Sequence, residues 1–210
     1  MNEGRFIALE GGEGVGKTTQ GRLLAQALRA RGIEVVITRE PGGTPGAEAI
    51  RTLLLSNEGE EWGARAEALL FAAARADHVQ KLIRPAMARG AWVICDRFVD
   101  SSRAYQGGGS GLSDGDVMAL HAIGSEGLLP DRTLLLTADT EIAAARLSLR
   151  DGDNADRIGG RSAEYHASVA EAFRRFATEE PHRFSLINAD GTADEVHGRV
   201  MAALSELLPA

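Results

Sequence analysis

Cysteine is nearly missing from this chain of 210 residues: Cys95 is the only one. An intrachain disulfide and a four-cysteine metal site are therefore excluded. Cys95 closes the apolar run Trp92–Cys95 and is expected to be a small buried hydrophobe. Lysine is scarce as well, since apart from Lys17 and Lys81 every member of the 23 Lys and Arg is arginine. Beside abundant alanine and glycine this reads as a compositional bias, so the positions of the arginines matter more than their number. An excess of positive charge is lacking: 30 acidic residues give a net charge of −7, which argues against a broad nucleic-acid surface. Long hydrophobic runs are lacking too. Ala66–Ala74 is bounded by Arg65 and Arg75, and nothing reaches the roughly 18 uninterrupted apolar residues of a membrane span. Met1–Glu10 carries Glu3 and has no charged-then-apolar order, so no signal peptide is expected. There is no internal repeat and no low-complexity segment. With 44% hydrophobic and 25% charged residues, one soluble cytoplasmic domain over residues 1–210 is expected, with no nucleic-acid or membrane partner.

What is present is an alternation of short apolar strands with amphipathic helices. Phe6–Leu9 reads as a buried strand that stops at Gly11-Gly12. Lys17–Arg29 places Leu23, Leu24, Ala27 and Leu28 at helical spacing, and Gly32 closes it. Ile33–Thr38, Trp92–Cys95, Arg132–Thr137 and Phe184–Asn188 read as further strands. Helices are expected over Ala47–Leu55, Glu67–Arg84, Ser113–Ile123, Ile142–Arg150 and Ala163–Ala177. A last one opens with the capping box Thr192/Glu195 and runs to about Leu207. Within Glu67–Arg84, the stripe Leu69, Ala72, Ala76, Val79 and Ile83 predicts the buried face, and Pro85 is expected to break or kink the helix. Arg150–Arg161 is polar and aperiodic, so it predicts a loop or lid. The order predicts an α/β fold, a parallel β-sheet flanked by helices on both faces, with ligands beyond the carboxyl ends of the strands.

The segment Gly11-Gly12-Glu13-Gly14-Val15-Gly16-Lys17-Thr18 satisfies G-x-x-x-x-G-K-[ST] between a predicted strand and a predicted helix, the context this P-loop motif requires. Its glycines let backbone N–H groups curl toward phosphate oxygens, and the helix adds its positive end. Lys17 is expected at the outer phosphates of a nucleoside triphosphate and Thr18 at Mg²⁺. Asp96, ending the strand Trp92–Cys95, is a second candidate near the metal. The fold expected is thus that of a P-loop NTPase. No Asn-Lys-x-Asp segment occurs, which disfavours a guanine-nucleotide switch.

Three further clusters follow the strands. They are Arg39–Thr44, the helix side Phe71, Arg75 and His78, and the segment from Asp96 to Gly107. Together they supply arginines for a phosphate, an aromatic face for a base, and an amide for a base edge.

With these residues the sequence resembles the thymidylate kinases, closely so the bacterial kind. The matching segments are Leu9–Thr19, Thr38–Thr44, Leu70–His78, Asp96-Arg97-Phe98 with Ser101–Gly107, and more weakly Asp156-Arg157-Ile158. The resemblance implies phosphoryl transfer from ATP to dTMP with Mg²⁺, giving ADP and dTDP. It implies that Phe71 stacks on thymine, Arg75 bonds its O4, and Gln106 with Ser102 serves its remaining polar edge. Tyr105 would lie under the sugar and Glu13 near its 3′-hydroxyl. Arg97 and Arg51 would hold the acceptor phosphate, and Glu40 would help order the metal and its waters. Where some members carry an arginine inside the phosphate loop, Gly14 stands here, so the resemblance assigns that charge to the lid: Arg157 first, then Arg150 or Arg161. After Ile158 a glutamate is usual, but Gly159-Gly160 stands, with Glu164 the available substitute. A homodimer through the helix Glu67–Arg84 is also implied. Two alternatives stay open, a kinase for another monophosphate such as dUMP or dCMP, and an ATP-binding regulatory module without turnover.

Overall fold

The computed structural model describes residues 3–56, 61–151 and 157–209, except for the side chains of residues 147–151. Five parallel strands form one sheet in the order β2-β3-β1-β4-β5. They are β1 (Phe6–Glu10), β2 (Val35–Arg39), β3 (Trp92–Asp96), β4 (Arg132–Thr137) and β5 (Phe184–Asn188). β1 lies between β3 and β4, with Leu9 opposite Asp96 and Leu134. The carboxyl ends of β1 and β3 are thereby brought side by side.

Alternation along the strands feeds two cores. Ile7, Leu9, Ile94, Leu134 and Leu136 face α1 (Lys17–Arg29) and α9 (Ala193–Ala203), packing on Leu24, Leu28, Val196 and Val200. Phe6, Ala8, Val93 and Cys95 face the opposite way, toward Ile83, Ala86 and Phe98. Leu135 meets Phe173 and Phe176 of α8 (Ala163–Glu179). This is the expected sheet with helices on both faces, and Cys95 is fully buried in it. No helix among the described residues is long and apolar enough to cross a membrane. The remaining helices are α2 (Pro45–Leu55), α3 (Ala64–His78), α4 (Arg84–Ala88), α5 (Val99–Ser102), α6 (Asp114–Ser125) and α7 (Thr140–Asp151). Caps fix several starts: Thr44 for α2, and full capping boxes at Ser113/Asp116 and Thr192/Glu195.

Three expectations are corrected. The helix expected over Glu67–Arg84 is α3, followed by a π-helical turn at Val79–Ile83 and then α4. Pro85 does not end the helical path: it falls in the first turn of α4, directly after the π-helical turn that interrupts the α-helical bonding. Within α3 the buried face is also not the stripe that periodicity selects, although the last two members of that stripe, Val79 and Ile83, are buried in the π-helical turn. Glu67, Ala68, Phe71, Ala74, Arg75 and His78 point inward, while Leu69 is 56% exposed. An alanine-rich helix has two faces of similar apolarity, and the bonds of Arg75 and His78 to Glu40 across the fold decide between them. Finally, the last helix ends at Ala203, not Leu207.

A second π-helical stretch, Arg103–Gly109, continues α5 and packs on α8. A Cβ on Gly108 would stand 2.7 Å from the Ala172 side chain. Glycine there permits an approach that no other residue would allow.

Candidate active site

The phosphate loop links β1 to α1. Gly14 has φ +71°, and a Cβ on it would run into the Ala143 carbonyl of α7, so both conformation and packing demand glycine. Lys17, the first residue of α1, is buried, and its Nζ donates to the carbonyls of Gly12 (2.5 Å) and Gly11 (3.2 Å). Burial, reinforced by the Arg97 charge, lowers its pKa to about 7 against the pull of Asp96, Glu10 and Glu13. Thr18 Oγ1 donates to Asp96 Oδ2 at 2.8 Å. The hydroxyl and carboxylate expected near a metal thus meet at the joined ends of β1 and β3, and such an all-oxygen donor set suits Mg²⁺.

Arg97 follows β3 with φ +70°, a left-handed conformation uncommon outside glycine. Its backbone N–H donates to Leu9 O at 2.9 Å, and Nη1 donates to Gly11 O and Ser101 Oγ at 3.2 Å. The guanidinium lies 5.0 Å from the centre of the Tyr105 ring. Burial opposes its charge, but Tyr105, Glu10, Asp96 and Glu13 outweigh burial and raise its pKa. Beneath this turn lies the fully buried Glu10. Its Oε1 accepts from the N–H groups of Phe98 (2.8 Å) and Ser101 (3.1 Å), and Oε2 accepts from Ser101 Oγ (2.6 Å). Burial, and then Asp100, raise the Glu10 pKa to about 7.

At the other end, α3 supplies a buried polar face. Arg75 Nε donates to Glu40 Oε2 and Nη2 to Ser102 Oγ, both at 2.7 Å. Glu40 Oε1 bonds His78 Nδ1 at 3.0 Å, and His78 Nε2 bonds Thr38 Oγ1 at 2.7 Å. Gln106 Nε2 donates to Glu67 Oε1 at 2.9 Å, while Arg161 pairs with Glu67 Oε2.

Both ends open into one cavity of about 680 Å³. Its walls include Glu13, Gly14, Gly16, Lys17, Thr18, Thr19, Glu40, Arg51, Phe71, Arg75, Asp96, Arg97, Ser102, Tyr105 and Gln106. The residues expected to meet two different substrates are therefore brought together. Gly11, Gly12, Val15 and Arg157 do not line this cavity, although Ile158 does. Val15 lines a smaller cavity of about 180 Å³ beside α1, which Arg146 joins to the first.

Glu40 lines the cavity and has a part that the sequence did not signal: its two oxygens bond Arg75 and His78, so it holds Arg75 in place. Glu164 is exposed, away from the cavity. Asp156 and the Arg150 side chain fall outside the described part of the chain. Sequence reasoning also passed over Glu10, Glu67, Arg22 and Arg146. For Glu10 the available signal was the one used for Asp96, a carboxylate ending a buried strand. Glu67 lies one helical turn before Phe71, so extending the Phe71, Arg75, His78 series backwards finds it.

Comparison with known proteins gives a consistent result. The family model "Thymidylate kinase" matches residues 9–200. The chain is 60% identical to a thymidylate kinase of Rhizorhabdus wittichii over 206 residues, spanning 98% of this chain and 99% of that protein. It is 49% identical to one from Chromohalobacter salexigens over 209 residues, spanning 99% and 98%. Among solved structures it is similar to the thymidylate kinase of Ehrlichia chaffeensis, with TM-score 0.78 and 32% identity, covering 96% of this chain and 98% of that one.

Proposed function

The chain belongs to the thymidylate kinase family, and we infer that the cavity of about 680 Å³ is where ATP and dTMP meet for phosphoryl transfer, giving ADP and dTDP. One observation carries this reading. Phe71, Arg75 and Gln106 share a cavity with Lys17 and Arg97, so a base-reading end and a phosphate-reading end lie on one path. A regulatory ATP switch gives no reason for the first set. Arg75, an obligate donor, suits a base carbonyl and not an exocyclic amine, which favours thymine over cytosine.

The acceptor is itself a phosphate, so general-base chemistry has little to contribute. The main difficulty is bringing two anions into line. Positioning and charge neutralisation are therefore the main catalytic contributions. Lys17 leaves the loop carbonyls of Gly11 and Gly12 for the transferring phosphates, and Arg97, with Arg51, holds the acceptor phosphate. Tyr105, beneath the Arg97 guanidinium, borders the sugar, with Glu13 near its 3′-hydroxyl. Arg146, between the two cavities, is suited to the adenine side of ATP. Thr18 and Asp96 would hold Mg²⁺, which supplies neutralising charge across the donor phosphates.

The lid over residues 150–161 completes the reading, with Arg157 as its phosphate-facing charge. Support comes from its neighbour Ile158, which lines the cavity. Arg157→Ala should lower kcat more than it raises KM, and the same signature at Arg161 instead would reassign the lid charge. A homodimer is also proposed, through the faces of α2, α3 and α6 that leave Leu53, Leu69 and Ile123 exposed. Sedimentation at twice the chain mass is the expected result. A cytoplasmic location belongs to the same reading, since both nucleotides are drawn from that pool.

The decisive test is ADP release with Mg²⁺-ATP and, separately, dTMP, dUMP, dCMP, dGMP, AMP and no acceptor. ADP formed with dTMP well above the others is the expected outcome. Preference for another monophosphate would discard the thymine pocket, and no acceptor-dependent ADP from folded protein would favour the regulatory module.

A further inference from the structure

Glu67 is 2% exposed and does not line the cavity, yet its carboxylate is bonded on both sides. One oxygen accepts from Gln106 Nε2 at 2.9 Å, and the other takes the Arg161 guanidinium. Gln106 is 1% exposed and does line the cavity. A side-chain amide can present either of its ends to a ligand, and the two ends have opposite hydrogen-bonding character. A carboxylate paired with a guanidinium offers acceptors only. It therefore accepts from the NH₂ end of Gln106 and leaves the carbonyl end for the cavity.

We propose that Glu67 is a specificity-determining positioning residue, which fixes the Gln106 amide so that a carbonyl oxygen faces the base and selects a pyrimidine carrying a ring N–H. This rests on the thymidylate reading of the cavity. Thymine and uracil present an N3–H donor to that oxygen. Cytosine presents an N3 lone pair, which would leave two acceptors facing each other without a proton between them. Arg75, donating to the neighbouring carbonyl, and Gln106, accepting from the ring N–H, together match one edge of thymine. Neither can match cytosine while Glu67 holds the amide. Arg161 extends the arrangement. The residue immediately before the N-cap of α8, it pairs with Glu67 and donates to Tyr165 Oη at 2.6 Å. Tyr165 in turn donates to the Tyr105 carbonyl at 3.1 Å. The end of the lid segment thus fastens the base reader from behind.

The experiment is to compare kcat/KM for dTMP, dUMP and dCMP in Glu67→Gln and Glu67→Ala. Glutamine can accept or donate, and alanine does neither, so in both variants Gln106 is free to turn over. The expected result is a fall of about tenfold or more in the dTMP:dCMP ratio, carried by KM, with the ATP KM unchanged. A merely structural role would lower both activities together and leave the ratio intact, which would overturn the proposal. Gln106→Ala separates the two levels of inference: an unchanged dTMP:dCMP ratio in that variant would fault the base-reading assignment itself, and not Glu67. The wild-type protein gives a readout that needs no variant. Its Gln106 NH₂ resonances should be two resolved, slowly exchanging signals before nucleotide is added, and averaged signals would overturn the proposal.

Discussion

The two ends of the cavity hold their polar groups in different ways. At the phosphate end the cations rest on backbone carbonyls: Lys17 on Gly11 and Gly12, Arg97 on Gly11. At the base end the recognition groups rest on buried carboxylates, Arg75 on Glu40 and Gln106 on Glu67. A carbonyl is a weak partner for a full charge, and an arriving phosphate displaces it readily. A buried carboxylate is a strong, charge-assisted partner that no nucleobase displaces. The phosphate end is therefore built to exchange partners during turnover, and the base end is built to stay fixed. Glu10 is the exception that sharpens the contrast. It is a buried carboxylate at the phosphate end, but it accepts from two peptide N–H groups and a hydroxyl, so it anchors the backbone that carries Arg97.

The strongest way to break this comparison is Lys17→Ala. Removing the exchangeable charge should cut kcat by roughly a thousandfold, read by coupled ADP release, while the dTMP-binding end stays intact. Unchanged turnover would remove the phosphate-loop argument. Next comes Glu10. Its folded pKa of about 7 lies above the ordinary glutamate value of 4.5, so between these pH values the folded state holds more protons than the unfolded. This group therefore makes stability fall as pH rises through that window, by about 3 kcal/mol in all. Glu10→Gln should flatten the slope in denaturant titrations at pH 5 and 7, and an unaltered slope would mean that Glu10 is not the group responsible.

A smaller effect is expected from Arg75→Lys. The charge beside Glu40 is kept, so the fold should survive, but the planar fork that reaches Ser102 and the base together is lost. The KM for dTMP should rise about tenfold with the ATP KM nearly constant. Equal shifts for both nucleotides would make the base end no more specific than the phosphate end. The smallest signal is a proton. With its pKa lowered to about 7 in the free protein, Lys17 is mostly neutral at pH 8 and mostly charged at pH 6. ATP phosphates favour the charged form, so ATP binding should take up close to one proton at pH 8 and little at pH 6. Calorimetry in buffers of different ionisation enthalpy reads this, and equal uptake at both pH values would contradict an exchangeable lysine.

How much of this was legible beforehand differs between the same two ends. The phosphate loop is contiguous, and its spacing, glycines and flanking elements all point to one reading. The strands were legible because five short apolar runs are bounded by glycine, proline or charge. Helix α3 was misread on its buried face. Its periodicity signals Leu69 and Ala72, yet the fold buries Glu67, Arg75 and His78. Glu10 and Glu67 were missed as holders for the same reason: a buried carboxylate is recognisable only once its donors, Phe98 and Ser101 or Gln106 and Arg161, are brought to it.

By itself the sequence determined the parallel α/β order, the phosphate loop, and the side chains available for a thymine-like base. These are properties of local pattern, where hydrophobic period and residue type within a few positions are sufficient. The tertiary structure decided which face of α3 is buried, that Glu40 holds Arg75, and that Glu67 fixes the amide of Gln106. Those outcomes depend on pairing between groups 35 and 39 residues apart in the chain. Desolvating a charge is costly unless its partner arrives with it, so only the assembled fold selects which charges are buried.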